Sequence, residues 1–180
     1  MSPQETKDQK LTAIFNALIS LLKEKEFTAI KITELTQRAH VSRTYYYHNF
    51  SSLAEIIEKY ELLSVTTYLR KLPPHQSRFT METLMEHYFQ LAFQSRDAQL
   101  TLIAAGKEQE IIKSFMTAYL YLLKNDLIVK KNQSSLTTDT YWQSFIAGAI
   151  VNMSISWLHR GAPESPQYMG QKIVHFLKID

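Results

Sequence analysis

Apolar residues along this chain recur at intervals of three and four rather than two, which is the signature of amphipathic helices. Leu11, Ile14, Phe15, Leu18, Ile19 and Leu22 form the first such face, interrupted by Asn16 and Ser20 and closed by Lys23-Glu24-Lys25-Glu26. A short connection, Phe27 to Ile32, leads to a second segment over 34–39, with the Thr33 hydroxyl expected as its N-cap. His40-Val41 makes a turn, and Ser42 is expected to cap a third segment over 43–48, with Val41 and Tyr46 placed to clasp its first turn. Two short helices joined this tightly are what a helix-turn-helix requires.

Ser52 and Glu55 form a capping-box pair ahead of a long fourth helix whose apolar face runs through Ile56, Ile57, Tyr60 and Leu63 toward Lys71. Pro73-Pro74 stops it, and 72–79 is the expected boundary, because consecutive prolines cannot continue a helix. Beyond it the pattern predicts helices over 80–95, 97–105 ending at Gly106, 108 to about 128, 139–159 ending at Gly161, and 166–177 capped by Ser165. The expected fold is all-α. A three-helix helix-turn-helix unit (1–50) passes through a connecting helix (51–72) into a C-terminal helical unit (73–180) that binds a ligand and dimerises.

Composition agrees with helices and excludes several chemistries. Four glycines and five prolines leave few of the tight turns that sheets need, and with no cysteine there is no disulfide, thiolate metal site or thiol nucleophile. Lys7 and Lys10 ahead of Leu11–Leu22 imitate a secretion signal, but the helical spacing and the polar interruptions contradict it. The other apolar run, Phe145 to Val151, falls far short of the roughly 20 residues a membrane span needs. A soluble, cytoplasmic protein is expected. There is no H-E-x-x-H, no phosphate-binding glycine loop, and no histidine with a glutamate three residues before it. No catalytic residue, metal or cofactor is therefore expected. The net charge of +3 is too small to announce a nucleic-acid coat, so any case for DNA rests on pattern.

That pattern is specific. Ile32-Thr33-Glu34-Leu35, Ala39-His40-Val41-Ser42-Arg43-Thr44, Tyr47-His48-Asn49-Phe50 and Ile56-Ile57 together resemble the helix-turn-helix signature of tetracycline-repressor-type (TetR/AcrR) regulators. Phe145-x-x-Gly148, Trp157-Leu158, Gly161, Ser165-Pro166 and Met169 are similar to the last two helices of many members. The chain departs from the family at Glu26 and His40, where glycine is common, at Asn49, often histidine, and at Leu53, usually a lysine aimed at the DNA backbone. Histidine tolerates the left-handed backbone better than most residues, and Asn49 can still donate to a phosphate. Leu53 removes one phosphate contact.

The resemblance implies a DNA-binding homodimer that responds to a small ligand, and the residues supply physical grounds of their own. Ser42, Arg43, Thr44, Tyr45, Tyr47 and His48 crowd hydroxyls, a guanidinium and an imidazole onto one short helix suited to a major groove. Arg43 is the candidate for guanine, Thr44 and Tyr45 for base edges or a thymine methyl, and Thr33, Ser42, Tyr47 and Asn49 for phosphates. Tyr46 is expected in the core. His87, Tyr88, Tyr119 and Trp142 are expected to line a pocket for a small-molecule effector. The last two helices are expected to pair with their symmetry mates, Gly148 and Ala149 permitting close approach and Met153, Trp157, Ile173 and Phe176 supplying apolar area. The competing reading is a helical protein-interaction module that has lost DNA binding, and Leu53 favours it.

Overall fold

A computed structural model describes residues 3–71, 78–129 and 139–177, the side chains of 3 and 68–71 excepted. Pro73-Pro74, expected as the joint and boundary after the fourth helix, lie outside the described residues. The described chain folds into α1 (Pro3–Leu22), α2 (Ile32–Arg38), α3 (Arg43–Asn49), α4 (Leu53–Lys71), α5 (Met81–Gln94), α6 (Arg96–Ala104), α7 (Glu108–Lys124), α8 (Thr140–His159) and α9 (Pro166–Leu177). No strand occurs among the described residues, and the only β-type pairing there is an isolated bridge between Phe79 and Ile128.

Side-chain caps start several helices where the hydroxyl and carboxylate residues predict them. Ser42, Thr80, Asp139 and Ser165 accept from the amides of Tyr45, Thr83, Trp142 and Tyr168 over 2.8–3.2 Å. Thr33 does not cap: α2 begins one residue before it, Lys31 holds the N-cap position without a side-chain bond, and Thr33 is exposed. The capping box at α4 is shared between neighbours. Ser52 Oγ accepts from the Glu55 amide at 3.2 Å, while the Glu55 carboxylate accepts from the amide and hydroxyl of Ser51, each at 2.7 Å.

Helix ends follow one geometry. After α2 the His40 amide donates to Gln37 and the Val41 amide to Thr36, with His40 at φ 52°. This is the six-to-one and five-to-two pairing that needs a left-handed residue just past the helix. The same pairing ends α6 at Gly106 and α8 at Gly161. It also ends α7, at Asp126, whose φ of 53° sets Leu127 to donate back to Leu122. The helix expected to run on to Ile128 therefore stops at Lys124. Ile128 instead lies beside Phe79, and both are buried. Phe79, the last residue of the expected boundary, is thus part of the core.

One apolar core runs through the molecule. Phe15, Leu18, Leu35, Tyr46, Phe50, Ile56 and Ile57 hold α1–α4 together, and Phe89, Leu102, Ile146, Ile150, Trp157 and Leu158 hold α5–α9. Each such side chain taken fully out of water contributes about 1.5–3 kcal/mol. α4 lies between the two groups, packed against both α1 and α7. α5 and α9 make the closest helix pair, because Gly170 leaves room for the α5 backbone at Glu86.

Candidate nucleic-acid interface and interior cavity

The turn between α2 and α3 and the seven residues of α3 form the candidate DNA surface. Along α3 exposure follows the helical period: Arg43, Thr44, Tyr47 and His48 point outward, and Tyr46 and Phe50 are buried. Tyr47 is 62% exposed although aromatic. Among the described residues no acidic side chain pairs with Arg43, whereas Arg38 on α2 is held by Glu24 and Lys25 by Glu34. A guanidinium with no counter-charge, flanked by hydroxyls on one short helix, is chemically suited to a phosphate or a guanine edge.

Two residues expected on that surface are turned partly inward. The Tyr45 ring sits edge-on to Phe50 at 6.0 Å, with Lys10 Nζ 5.3 Å from its centroid, and burial raises the pKa of its hydroxyl. Tyr45 is thus half-buried against α1 and Phe50, less open than Tyr47. Asn49 spends one amide hydrogen on the Tyr45 carbonyl at 2.7 Å, closing the end of α3. Ser42 Oγ accepts from the Tyr45 amide, which leaves its hydroxyl proton able to donate elsewhere. Leu53 packs against the core at the start of α4. Lys59, one turn and a half further on, reaches back to the Asn49 carbonyl at 2.5 Å and to Glu55 at 2.9 Å.

The second site is a cavity of about 640 Å³, open to one side and lined by α1, α4, α5, α6 and α7. His87, Tyr88 and Tyr119 line it as expected, but Trp142 does not. Its indole donates instead to the Tyr119 hydroxyl. Burial lowers the pKa of His87 and raises that of Tyr88, whose hydroxyl meets Ser154 of α8. Neither group carries charge near neutral pH.

Sequence reasoning missed the most unusual residue of the cavity. Glu61 of α4 projects into it, accepting a 2.8 Å hydrogen bond from Gln99 of α6, itself 7% exposed. Desolvation by the surrounding protein pushes the Glu61 carboxyl up to about 7 against the lowering effect of Gln99. The signal was available: Glu61 follows Tyr60 on the face that Ile56 and Ile57 bury.

The expected dimer surface is also altered. Trp157 and Ile173 are each 2% exposed, inside the molecule's own core, and the Trp157 indole donates to the Glu164 carbonyl at 3.1 Å. Neither is available to a partner. The outward stripe of α8 carries Tyr141 (87% exposed) and Phe145 (60%) with Gly148, where an added Cβ would meet nothing within 4 Å. Tyr168 and Phe176 on α9 are likewise exposed, and Ala149 and Met153 are half-buried.

The family model of a TetR-type transcriptional regulator C-terminal region matches residues 79–178. Two solved structures share the fold at low identity. The dihydroxyacetone kinase operon activator DhaS is 13% identical with a TM-score of 0.59, over 93% of this chain and 93% of its own. A TetR transcriptional regulator from Rhodococcus sp. RHA1 is 11% identical with a TM-score of 0.50, over 98% and 99%. No curated protein sequence matches this chain significantly.

Proposed function

The chain belongs to the TetR family of transcriptional regulators, and from that premise we propose that it is a sequence-specific, ligand-responsive repressor acting in the cytoplasm as a homodimer. The observation that carries the reading is the outward face of α3, where Arg43, Thr44, Tyr47 and His48 stand together and Arg43 has no acid partner among the described residues. Arg43 reads a base, while Tyr47, Ser42 and Thr33 hold the backbone and fix the register of the helix in the groove.

Dimerisation uses the exposed stripe of Tyr141, Phe145 and Gly148 on α8 with Tyr168 and Phe176 on α9. Its purpose is spacing: two recognition helices must stand about 34 Å apart to enter successive major grooves. Signal passes through α4, which touches α3 through Lys59 and Asn49, α6 through Glu61 and Gln99, and α7 through Glu58 and Lys113 at 2.6 Å. A ligand seated in the cavity shifts α4 and with it the spacing. It favours release only to the extent that it binds the DNA-incompetent arrangement more tightly.

The division into a DNA-binding unit (1–50), a connecting helix (51–72) and a ligand and dimer unit (73–180) belongs to the same proposal. Fluorescence anisotropy on labelled fragments tiled across the DNA upstream of the chain's own gene tests it. One fragment should bind in preference to the rest and resist unlabelled competitor. Equal or absent binding to all fragments favours the second reading, an interaction module without DNA binding, for which the apolar Leu53 in a usual lysine position is the specific support.

A further inference from the structure

We propose that the cavity receives an organic cation, an amine or quaternary ammonium carried on an apolar or aromatic body, with Glu61 as its counter-charge. This deepens the ligand-responsive reading above by naming the class of ligand. Three observations carry it. Glu61 has no base paired with it: Gln99 satisfies one of its oxygens, and among the described residues no cation pairs with the other. The cavity walls are aromatic around it, with Phe15 and Tyr60 stacked at 3.7 Å and Tyr88 edge-on to Phe115 at 5.0 Å. Ring faces and a carboxylate are the two groups that attract a desolvated ammonium. The size is also right, since about 640 Å³ accommodates a drug-sized molecule.

The other titratable groups lining the cavity do not supply the missing charge. Lys23, just past the end of α1, is paired with Asp97 of α6 at 2.5 Å, both side chains reaching solvent. His87 and Tyr88 of α5, Tyr119 of α7 and Tyr60 beside Glu61 on α4 are all uncharged near neutral pH, burial having lowered the histidine and raised the phenols. A carboxylate left in such surroundings is costly unless it is protonated or paired. Desolvation pushes Glu61 up to about 7, and a cation beside it returns it to the ionised form.

Binding of three probes to the full-length protein, followed by thermal shift and calorimetry, tests the assignment: biphenyl-4-yl-trimethylammonium, its uncharged isostere 4-tert-butylbiphenyl, and biphenyl-4-sulfonate. The cation should bind roughly tenfold or more tightly than the isostere, and the sulfonate least. Glu61→Gln should abolish the preference for the cation and keep the isostere, which also reports that the variant is folded. In the wild type, the cation's affinity should rise roughly fourfold from pH 6.5 to 8.5 as Glu61 ionises, above the titration of His87, and the isostere's should not. Equal binding of cation and isostere, no binding by any probe, or unchanged cation preference in Glu61→Gln overturns the proposal. Adding labelled operator separates it from the broader reading. If only the isostere binds and releases DNA, the protein responds to ligands but not to cations. If the cation binds through Glu61 and leaves DNA affinity unchanged, the ligand class stands and the coupling to DNA falls.

Discussion

Gly170 of α9 lies so close to Glu86 of α5 that a Cβ added to it would fall 2.7 Å from the Glu86 amide nitrogen and 3.0 Å from its Cα. The obstacle is helix backbone, which cannot swing aside as a side chain would, so α9 must move for anything larger than glycine to fit. Gly170→Ala should therefore lower stability by about 1–3 kcal/mol despite the better helix propensity of alanine. A chemical denaturation midpoint checks this, and a stabilised variant would show that α9 can shift freely.

On the DNA face, Arg43→Ala should cost about 1–3 kcal/mol on the preferred operator and relax base choice at one position of each half-site. Tyr47→Phe, at a residue 62% exposed, should weaken binding to all sequences alike. Anisotropy on operator variants separates the two patterns, and a Tyr47→Phe protein with undiminished affinity for every DNA would remove its hydroxyl from the interface.

Glu61 makes stability depend on pH in a direction opposite to that of a salt-bridged acid. Its folded pKa of about 7 lies above the ordinary carboxylate value, so the folded state holds the proton more tightly than the unfolded chain. Relative to the ionised form, that stabilisation is full below the ordinary value and is lost as pH rises through 7. Glu61→Gln, which stays neutral, should be more stable than the wild type at pH 8, by about 1–3 kcal/mol, and no different at pH 4 to 4.5. Melting curves at the two pH values are the measurement, and a constant difference would place the effect elsewhere.

The exposed face of α8 and the buried Trp157 make contrasting predictions. Phe145→Glu should give a folded monomer by light scattering, since a charge there meets water when the partner is lost. Trp157→Glu should unfold the subunit, because the side chain it replaces is packed against Phe89 at 5.3 Å and has nowhere to hydrate. A wild-type monomer at micromolar concentration would sink the dimer.

His40 at φ 52° pays for a left-handed turn without glycine, and its side chain is exposed. Replacing it by glycine should raise stability by up to about 1 kcal/mol, since a side chain at such a φ costs roughly 1–2 kcal/mol and glycine's extra unfolded freedom returns part of that. A higher unfolding midpoint with unaltered DNA affinity is the expected result. A fall in midpoint would mean that the imidazole makes a stabilising contact.

The sequence by itself determined what depends on near neighbours. Helix periodicity, the caps at Ser42, Ser52 and Ser165, the left-handed exits at His40, Gly106 and Gly161, and the helix-turn-helix all follow from residues within a turn or two of each other, and all are found. Where local signals were ambiguous the reading slipped: Thr33, expected as the cap, falls inside the first turn of α2 behind Lys31, and α7 stops at Lys124 because Asp126, a residue other than glycine, takes the left-handed position. The tertiary structure alone decided which side of each helix faces which neighbour. α8 is apolar nearly all round, so periodicity could not tell the half of it buried in its own subunit, with Trp157, from the half left open, with Tyr141 and Phe145. Glu61 shows the same limit from the polar side. A glutamate within an amphipathic helix is ordinarily solvated even beside an apolar face, and it takes the convergence of α1, α5, α6 and α7 around it to turn this one into a half-buried, desolvated carboxyl.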